Sequence, residues 1–296
     1  MIRTEGLEKR YGSFQALKPL DLHVRKGEVF GFLGPNGAGK TTLIKILSTQ
    51  MEPSAGKVEI DGWDLRRDRA EVRRRLGYLP QHFGAYPRLS AFEFLDYMGR
   101  LGGLHDKRVR RERVEQVLHD VALYEARDRK AGTFSGGMRR RLGIAQAIIA
   151  DPEFIIVDEP TVGLDPEERI RFRGILSRLS AKRTIIISTH IVGDISSTCE
   201  DLAVLRQGQL LFHGAPEDFI AKAEGKTWLL QTDDDAFETI ANRFNVTNIN
   251  ADGVGMELRI VGDEAPPSGA EAAPPNLEDA YIYFMGAHSA ILQAGV

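Results

Sequence analysis

The chain has little of what would indicate an exported or membrane-spanning protein. It contains a single cysteine, Cys199, which excludes an internal disulfide framework and is typical of a reducing compartment. No run approaches the roughly 18 apolar residues that a membrane-spanning helix needs, and we expect no secretory signal, because no apolar stretch follows the first residues. The net charge of -3 creates no overall basic field, so nucleic acid is not expected as a partner.

What the chain does contain, over residues 1–221, is an alternation of short apolar strands with amphipathic helices. Val29–Leu33 is an apolar strand that leads into glycine-rich sequence, and Thr41–Leu47 follows with helical spacing. Glu153–Val157 and Thr184–Ser188 are β-branched runs of the kind found in buried parallel strands. Further helices are predicted at 71–76, 110–121 and 138–150, and a further strand at 58–60. This alternation predicts an α/β fold with helices on both faces of a sheet.

A small α+β appendage is predicted at 226–296, where the composition changes. The segment Asp263–Asn276 is rich in Pro, Ala and Glu and predicts a flexible loop. The aromatic helix that follows has two open roles, dimer contacts or cover for the appendage's own core. The predicted elements are strands at Thr227–Gln231 and Met256–Val261 and helices at Asp235–Phe244 and Leu277–Met285.

A phosphate-binding loop is indicated by residues 34–41, which fit the pattern G-x-x-x-x-G-K-[ST] between a predicted strand and helix. Glycines let backbone N–H groups approach phosphate oxygens without a Cβ in the way. Lys40 would bring charge to the β- and γ-phosphates, and the Thr41 hydroxyl would reach Mg²⁺. The alternative is a glycine-rich turn that only caps a helix. The residues predicted to contact nucleotide are Gly34, Asn36, Gly37, Ala38, Gly39, Lys40, Thr41 and Thr42.

Two carboxylates follow the apolar run Ile155–Val157. Asp158 is placed to reach Mg²⁺, through a water molecule, because that ion keeps much of its hydration shell. Glu159 is then free to face an attacking water. Paired acids also occur at solvated strand ends, but the phosphate loop upstream favours the functional interpretation.

Other polar positions are weaker signals when taken alone. His190 follows the apolar run 185–187, where a parallel sheet presents ligand-binding residues, although a lone histidine is more often structural. Gln81 is in itself an ordinary loop residue. Ser135-Gly136-Gly137 offers a hydroxyl and bare N–H groups, a surface that suits phosphate oxygens.

In this order the motifs resemble the ATP-binding subunit of ABC transporters, and the resemblance covers residues 1–221. It implies a P-loop NTPase of the ABC ATPase type, with a helical signature subdomain at roughly 82–150, and ATP and Mg²⁺ as cofactors. The implied roles are adenine stacking for Tyr11, Mg²⁺ contact for Thr41, Gln81 and Asp158, signature motif for Ser135, Gly136 and Gly137, D-loop for Asp165, and catalysis for Lys40, Gln81, Glu159 and His190.

The signature segment departs from the family pattern at its two ends. It has Phe134 and Met138 where the family has Leu and Gln. Phe134 keeps an apolar side chain, whereas Met138 cannot hydrogen-bond as Gln does. Any ribose contact from Met138 is therefore in doubt, and binding should depend on Ser135 and the backbone N–H groups.

The resemblance also implies partners. Two copies should form a head-to-tail homodimer around two nucleotides, and a separate integral membrane permease should dock at residues 82–87. A single nucleotide domain with a C-terminal extension is similar to subunits that pair with ABC-2-type exporter permeases. The implied location is the cytoplasmic face of the cell membrane, as a peripheral protein.

Two other functions stay open from the sequence. One is an ATP-switched module that acts on ribosomes or DNA, and the other is a regulatory subunit that binds ATP without turnover. The arginine-rich segments Arg66–Arg75 and Lys107–Arg113 are interpreted as solvated helix faces, with contact to anionic lipid as the alternative.

Overall fold

The computed structural model describes residues 2–251, 255–266 and 269–293 of the chain. These residues divide into two units, Met1–His213 and Gly214–Val296. The sequence prediction ended the first domain at residue 221. The division falls earlier because the helix at Pro216–Ile220 belongs with the second unit, where the Phe219 ring packs edge-on against Phe284.

The first unit consists of two sheets and the helices around them. Its strands are β1 (Ile2–Tyr11), β2 (Phe14–Val24), β3 (Val29–Leu33), β4 (Ala55–Ile60), β5 (Trp63–Asp64), β6 (Leu76–Leu79), β7 (Phe154–Asp158), β8 (Thr184–Thr189), β9 (Asp201–Arg206) and β10 (Gln209–Gly214). Its helices are α1 (Lys40–Leu47), α2 (Arg69–Arg75), α3 (Ala91–Leu101), α4 (Lys107–Asp120), α5 (Gly136–Ile148), α6 (Pro166–Ser180) and α7 (Val192–Ser196).

The central sheet has the strand order β10-β9-β3-β8-β7-β6. Strand β3 pairs in parallel with β8 and β9, and β7 pairs in parallel with β6 and β8. Ile155 and Val157 pack into one core, whereas Ile156 between them packs into another. Burial on both faces explains the continuous apolar runs in the sequence and confirms the predicted parallel α/β sheet.

A second, antiparallel sheet has the order β2-β1-β4-β5. The sequence prediction found only part of β4 and missed β1 and β2. These strands alternate buried apolar with exposed polar residues: Leu20, Leu22 and Val24 of β2 are buried and the residues between them are exposed. One face is covered and the other is solvated, as is usual in antiparallel sheets.

Helices α3, α4 and α5 lie between β6 and β7 along the chain and pack on one another. Helix α3 begins at a capping box, in which the Ser90 hydroxyl accepts from the Glu93 N–H and the Glu93 carboxylate accepts from the Ser90 N–H. Helix α4 begins at Asp106, whose carboxylate accepts from two first-turn N–H groups. The caps fix where each helix begins.

The second unit has its own core around Leu230, Leu258 and Ile260. Its sheet order is β12-β13-β11-β14. Part of the predicted flexible loop 263–276 forms β14, and residues 267–268 of that loop lie outside the described residues. Its elements are α8 (Pro216–Ile220), β11 (Thr227–Thr232), α9 (Asp234–Arg243), β12 (Asn245–Ala251), β13 (Met256–Val261), β14 (Glu271–Ala272) and α10 (Leu277–Gln293).

A buried ion pair holds α10 to this sheet. Asp279 is fully buried and lies 2.7 Å from the Arg259 guanidinium, and it also accepts from the Thr247 hydroxyl at 2.7 Å. A charge that is buried and fully bonded in this way fixes the position of the helix. Within the described part of the chain, none of the helices combines the length and apolar character that crossing a bilayer requires.

Candidate nucleotide site

The loop between β3 and α1 requires glycine for its path. Gly37 and Gly39 have left-handed backbone, with φ of 80° and 103°, which residues with a Cβ rarely adopt. At Gly34 a Cβ would run into the carbonyl oxygen of Leu205 on the neighbouring strand β9. Because Gly39 is the N-cap of α1 and has no side chain, the first-turn N–H groups remain available to an anion.

Lys40, the first residue of α1, is buried and points back into the loop. Its Nζ donates to the carbonyl oxygens of Gly34 at 2.6 Å and Pro35 at 3.2 Å, and it lies 3.7 Å from Glu159 Oε1. Burial lowers the pKa of Lys40, and the Glu159 and Asp158 carboxylates oppose that shift. The ammonium group is thus held where phosphates would meet the loop.

Asp158 ends strand β7 with its side chain buried. Its Oδ1 has no hydrogen-bond partner among the described residues, and burial raises the pKa of its carboxyl group above the usual value. An unpaired buried carboxylate oxygen is costly unless a cation or donor completes it. The site therefore fits a hard divalent cation such as Mg²⁺, which prefers oxygen ligands.

The Glu159 carboxylate lies between the side chains of Lys40 and His190. Its Oε2 is 2.9 Å from His190 Nδ1, and its Oε1 faces Lys40. Its backbone φ is 47°, in the left-handed region, and its N–H donates to Ser188 O on β8 at 2.7 Å. The structure thus brings Lys40, Glu159 and His190 together from three separate segments.

A cavity of about 230 Å³ lies in front of the loop. It is lined by residues 35–42, Phe14, Ala16, Gln81 and Glu159. Gln81, an unremarkable loop residue in the sequence, therefore faces the same space as the phosphate loop. Phe14, for which the sequence offers no motif, is the first residue of β2 and is 65% exposed.

Tyr11 lies at the end of β1, outside the described lining of this cavity. Its hydroxyl contacts Met51 Sδ at 2.9 Å, and Lys9 Nζ lies 5.3 Å from its ring centroid. Tyr11 as a whole is 46% exposed. An exposed aromatic face is what stacking on a base requires, and Phe14 offers a second such face.

The signature segment is not among the described residues that line this cavity. Ser135 is the N-cap of α5, and its hydroxyl accepts from the Met138 N–H at 3.2 Å. Gly136 has open space where a Cβ would be, whereas a Cβ at Gly137 would collide with the Glu168 carboxylate. Met138 packs against the core, so its side chain serves packing. The exposed Ser135 and Gly136 are free to meet another molecule.

Asp165 and Asp194 are polar residues that order the segment after β7. Asp165 caps α6 by accepting from the Glu168 N–H at 2.8 Å. Asp194, which the sequence analysis missed, is buried and accepts from the Thr161 hydroxyl, from Thr189 Oγ1 at 3.3 Å and from Arg173 Nη2 at 2.8 Å. It ties the segment that precedes Asp165 to the one that carries His190.

The arginine-rich segments are largely engaged within the chain. Arg69 and Arg73 donate to Thr49, and Arg75 pairs with Glu71 and Glu153 at 3.1 Å. In the second segment, Arg110 is buried and bonds Asp96 at 2.8 Å. These contacts favour structural roles for the segments over contact with lipid.

Comparisons with known proteins show which family this chain resembles. Residues 17–162 match the family model described as ABC transporter. The chain is 37% identical over 225 residues to the daunorubicin resistance ATP-binding protein DrrA3 of Streptomyces coeruleorubidus, covering 76% of this chain and 71% of that protein. It is 36% identical over 236 residues to the bacitracin transport ATP-binding protein BcrA of Bacillus licheniformis, covering 79% and 76%.

Among solved structures, the fold is similar to a dimeric ATP-binding cassette in a post-hydrolysis state bound to ADP and Pi. The TM-score is 0.66 at 27% sequence identity, and the match covers 73% of this chain and 98% of that one. The uncovered part of this chain corresponds in extent to its smaller unit.

Proposed function

The chain belongs to the ABC transporter family as an ATP-hydrolysing subunit coupled to transport, and from that premise we propose how it works. Two copies close head to tail around two ATP molecules. Closure and reopening then drive a permease on a separate chain. The observation that carries the proposal is the convergence of Lys40, Glu159 and His190 on the phosphate loop.

Lys40, Glu159 and His190 have separate roles in the proposed phosphoryl transfer. Lys40 and the N–H groups of α1 stabilise charge on the β- and γ-phosphates, which is most of the catalysis in this reaction class. Glu159 orients the attacking water and accepts its proton. His190 holds the Glu159 carboxylate through the 2.9 Å contact and contacts the γ-phosphate.

The unpaired oxygen of Asp158 supports a Mg²⁺ site. Thr41, Asp158 and Gln81 would hold the ion, which would offset phosphate charge when bound. We also propose that Tyr11 stacks on adenine, because part of its ring is exposed at the sheet end.

The second copy is part of the site in this proposal. Ser135 and Gly136 are exposed and lie outside the described lining of their own chain's cavity. A partner's nucleotide is a suitable ligand for them, since a hydroxyl and a helix N-terminus both favour phosphate oxygens. Asp165, at the start of α6, would lie at the same interface.

The permease is proposed to be an exporter of the ABC-2 type. The names of the relatives refer to daunorubicin resistance and bacitracin transport, so export of a natural product or toxic compound is our expectation. The Tyr86 and Tyr97 rings lie 5.9 Å apart, edge to face, and are half exposed. They offer an aromatic surface for the permease at the cytoplasmic face of the membrane.

Affinity purification of the tagged chain from its own cells tests this partnership. We expect an integral membrane protein to co-purify after detergent extraction, and Tyr86→Asp to reduce its recovery while ATP hydrolysis by the free chain persists. Recovery of ribosomes or DNA in its place would contradict the proposal. A module acting on ribosomes or DNA is not favoured, because the relatives are transporter subunits.

A further inference from the structure

Arg140, on the second turn of α5, has a buried guanidinium group that bonds only to main-chain carbonyls in its described contacts. Its Nε donates to Pro160 O at 2.9 Å. Its Nη1 donates to Pro80 O at 2.8 Å and Gln81 O at 2.9 Å. Its Nη2 donates to Asp158 O at 2.5 Å and Glu159 O at 2.6 Å. All five N–H donors of a guanidinium are thereby used.

These carbonyls come from the two segments that carry catalytic groups. Pro80 and Gln81 follow β6, and Glu159 and Pro160 follow Asp158, the last residue of β7. Strands β6 and β7 are paired in parallel only as far as Leu79 and Val157. Beyond that point no sheet pairing among the described residues connects the two segments. Arg140 bridges the two segments where the sheet ends.

The bridge acts on the backbone of Glu159 itself. The φ of 47° at Glu159 is one that a residue with a Cβ keeps only when its surroundings impose it. Nη2 of Arg140 binds the carbonyls on both sides of the Glu159 Cα, and Ser188 O binds its N–H. The direction of the Glu159 carboxylate toward His190 follows from this backbone conformation.

Arg140 stays cationic at this position in spite of its burial. Burial lowers the pKa of Arg140 to about 10, and the Asp158 and Glu159 carboxylates oppose the shift. The group therefore remains charged at neutral pH. Carbonyl dipoles directed at a charge form stronger hydrogen bonds than neutral pairs, and a planar fork with five donors has no equivalent among the other side chains.

We propose that Arg140 is a positioning residue, which holds the Gln81 segment and the Glu159 backbone in the geometry needed for hydrolysis. This inference rests on the proposed function, since it requires Glu159 to act on the attacking water. Arg140 also lies on the helix that begins at Ser135. A displacement of α5 caused by contact between Ser135 and a partner's nucleotide would therefore be transmitted through Arg140 to the backbone of Glu159.

The test compares Arg140→Gln with Arg113→Gln. Arg113 is a matched control, because it too donates to main-chain carbonyls, those of Ile148 and Ile149 at 2.8 and 3.2 Å, at the far end of α5. Phosphate release and the affinity for a fluorescent ATP analogue are measured for each variant, with thermal unfolding to establish the folded fraction.

For Arg140→Gln we expect kcat per folded molecule to fall by roughly 10- to 100-fold, as misplacement of a catalytic group by about 1 Å does. The affinity for the analogue should stay within about threefold, because Arg140 lies outside the phosphate loop. Arg113→Gln should keep kcat. Arg140→Lys, which retains charge and three donors, should recover part of the loss.

Equal kcat values for Arg140→Gln and Arg113→Gln would overturn the inference, as would a loss of affinity as large as the loss of kcat. If Arg140→Gln does not fold, Arg140→Lys decides: wild-type kcat would overturn the inference, and a reduced kcat with unchanged affinity would support it. A wild-type chain that releases no phosphate would instead contradict the proposed function.

Discussion

Asp158 is a buried acidic residue, and we expect its burial to lower the stability of the protein without ligand. It lies at the end of β7 with Oδ1 unpaired among the described residues, and burial raises the pKa of its carboxyl group. The folded state therefore favours the protonated form. The contribution of Asp158 to stability is complete at pH values below the pKa that this carboxyl group has in the unfolded chain. It is lost as the pH rises through the higher pKa of the same group in the folded state.

Asp158→Asn should consequently stabilise the protein without ligand. In EDTA at about pH 7 we expect its free energy of unfolding to exceed that of wild type by roughly 1–3 kcal/mol, the penalty of a buried unsatisfied group. The excess should shrink as the pH falls into the carboxyl range. Urea unfolding at both pH values checks this expectation.

Addition of Mg²⁺ and ATP provides the control for Asp158→Asn. Wild type should gain stability by mass action, and the variant should gain less. The difference between their free energies of unfolding should therefore shrink or change sign. An Asn variant that is less stable than wild type at about pH 7 in EDTA would contradict this account.

Among residues, those with a motif could be predicted from sequence and those without one could not. Lys40, Glu159 and His190 were predicted, and they meet in the structure. Arg140 was not predicted, because the sequence does not distinguish a buried arginine in a helix from a solvated one. The carbonyls it binds are separated from it by 18 to 60 residues, and no local pattern reveals such contacts.

Among elements, α5 begins at a residue with two proposed roles. The Ser135 hydroxyl caps the helix by accepting from Met138 N–H, and the same residue is exposed, as binding to a partner's nucleotide would require. Loss of a cap typically costs about 1 kcal/mol. Substitutions at Ser135 should therefore affect both stability and catalysis, but to different degrees.

Ser135→Arg should lose nearly all ATP hydrolysis, because a long cationic side chain would fill the space proposed for the partner's γ-phosphate. Ser135→Ala loses the same cap, about 1 kcal/mol of unfolding free energy, but keeps the N–H groups, and should retain part of the activity. Phosphate release and thermal unfolding measured on both variants separate the two effects. Equal activities of the Arg and Ala variants would argue against a binding role for Ser135.

Three strands of the central sheet, β3, β7 and β8, are predicted from the sequence, whereas β6, β9 and β10 of the same sheet are not. Strands β7 and β8 are continuous apolar runs with burial on both faces, a strong signal. Strands β1 and β2 carry charged residues at their solvated positions, and the alternating pattern was overlooked. Strand β12 is a mostly exposed polar strand, which composition alone does not distinguish from a loop.

At the scale of the whole molecule, our proposal treats the site of one chain as incomplete without a second copy. The chain's own cavity is lined by the phosphate loop, Gln81 and Glu159, and the signature segment is not among the described residues of that lining. Sequence order alone could predict which motifs exist, but not that Ser135 and Gly136 lie outside the lining of the cavity that holds the phosphate loop, Gln81 and Glu159. The family resemblance implies a homodimer. The position of Ser135, outside the lining of its own chain's cavity, gives a physical reason for a second copy.

The central claim is that ATP closes two copies of this chain around two nucleotides, and Glu159→Gln tests it most directly. This substitution keeps the shape of the site but removes the base, so hydrolysis should slow by about 10²–10⁴-fold and closed dimer should accumulate. Light scattering after size-exclusion chromatography with Mg²⁺ and ATP should give twice the 32.9 kDa of one chain. Combining the change with Ser135→Arg should restore the monomer. A Glu159→Gln protein that remains monomeric at saturating ATP would contradict the account.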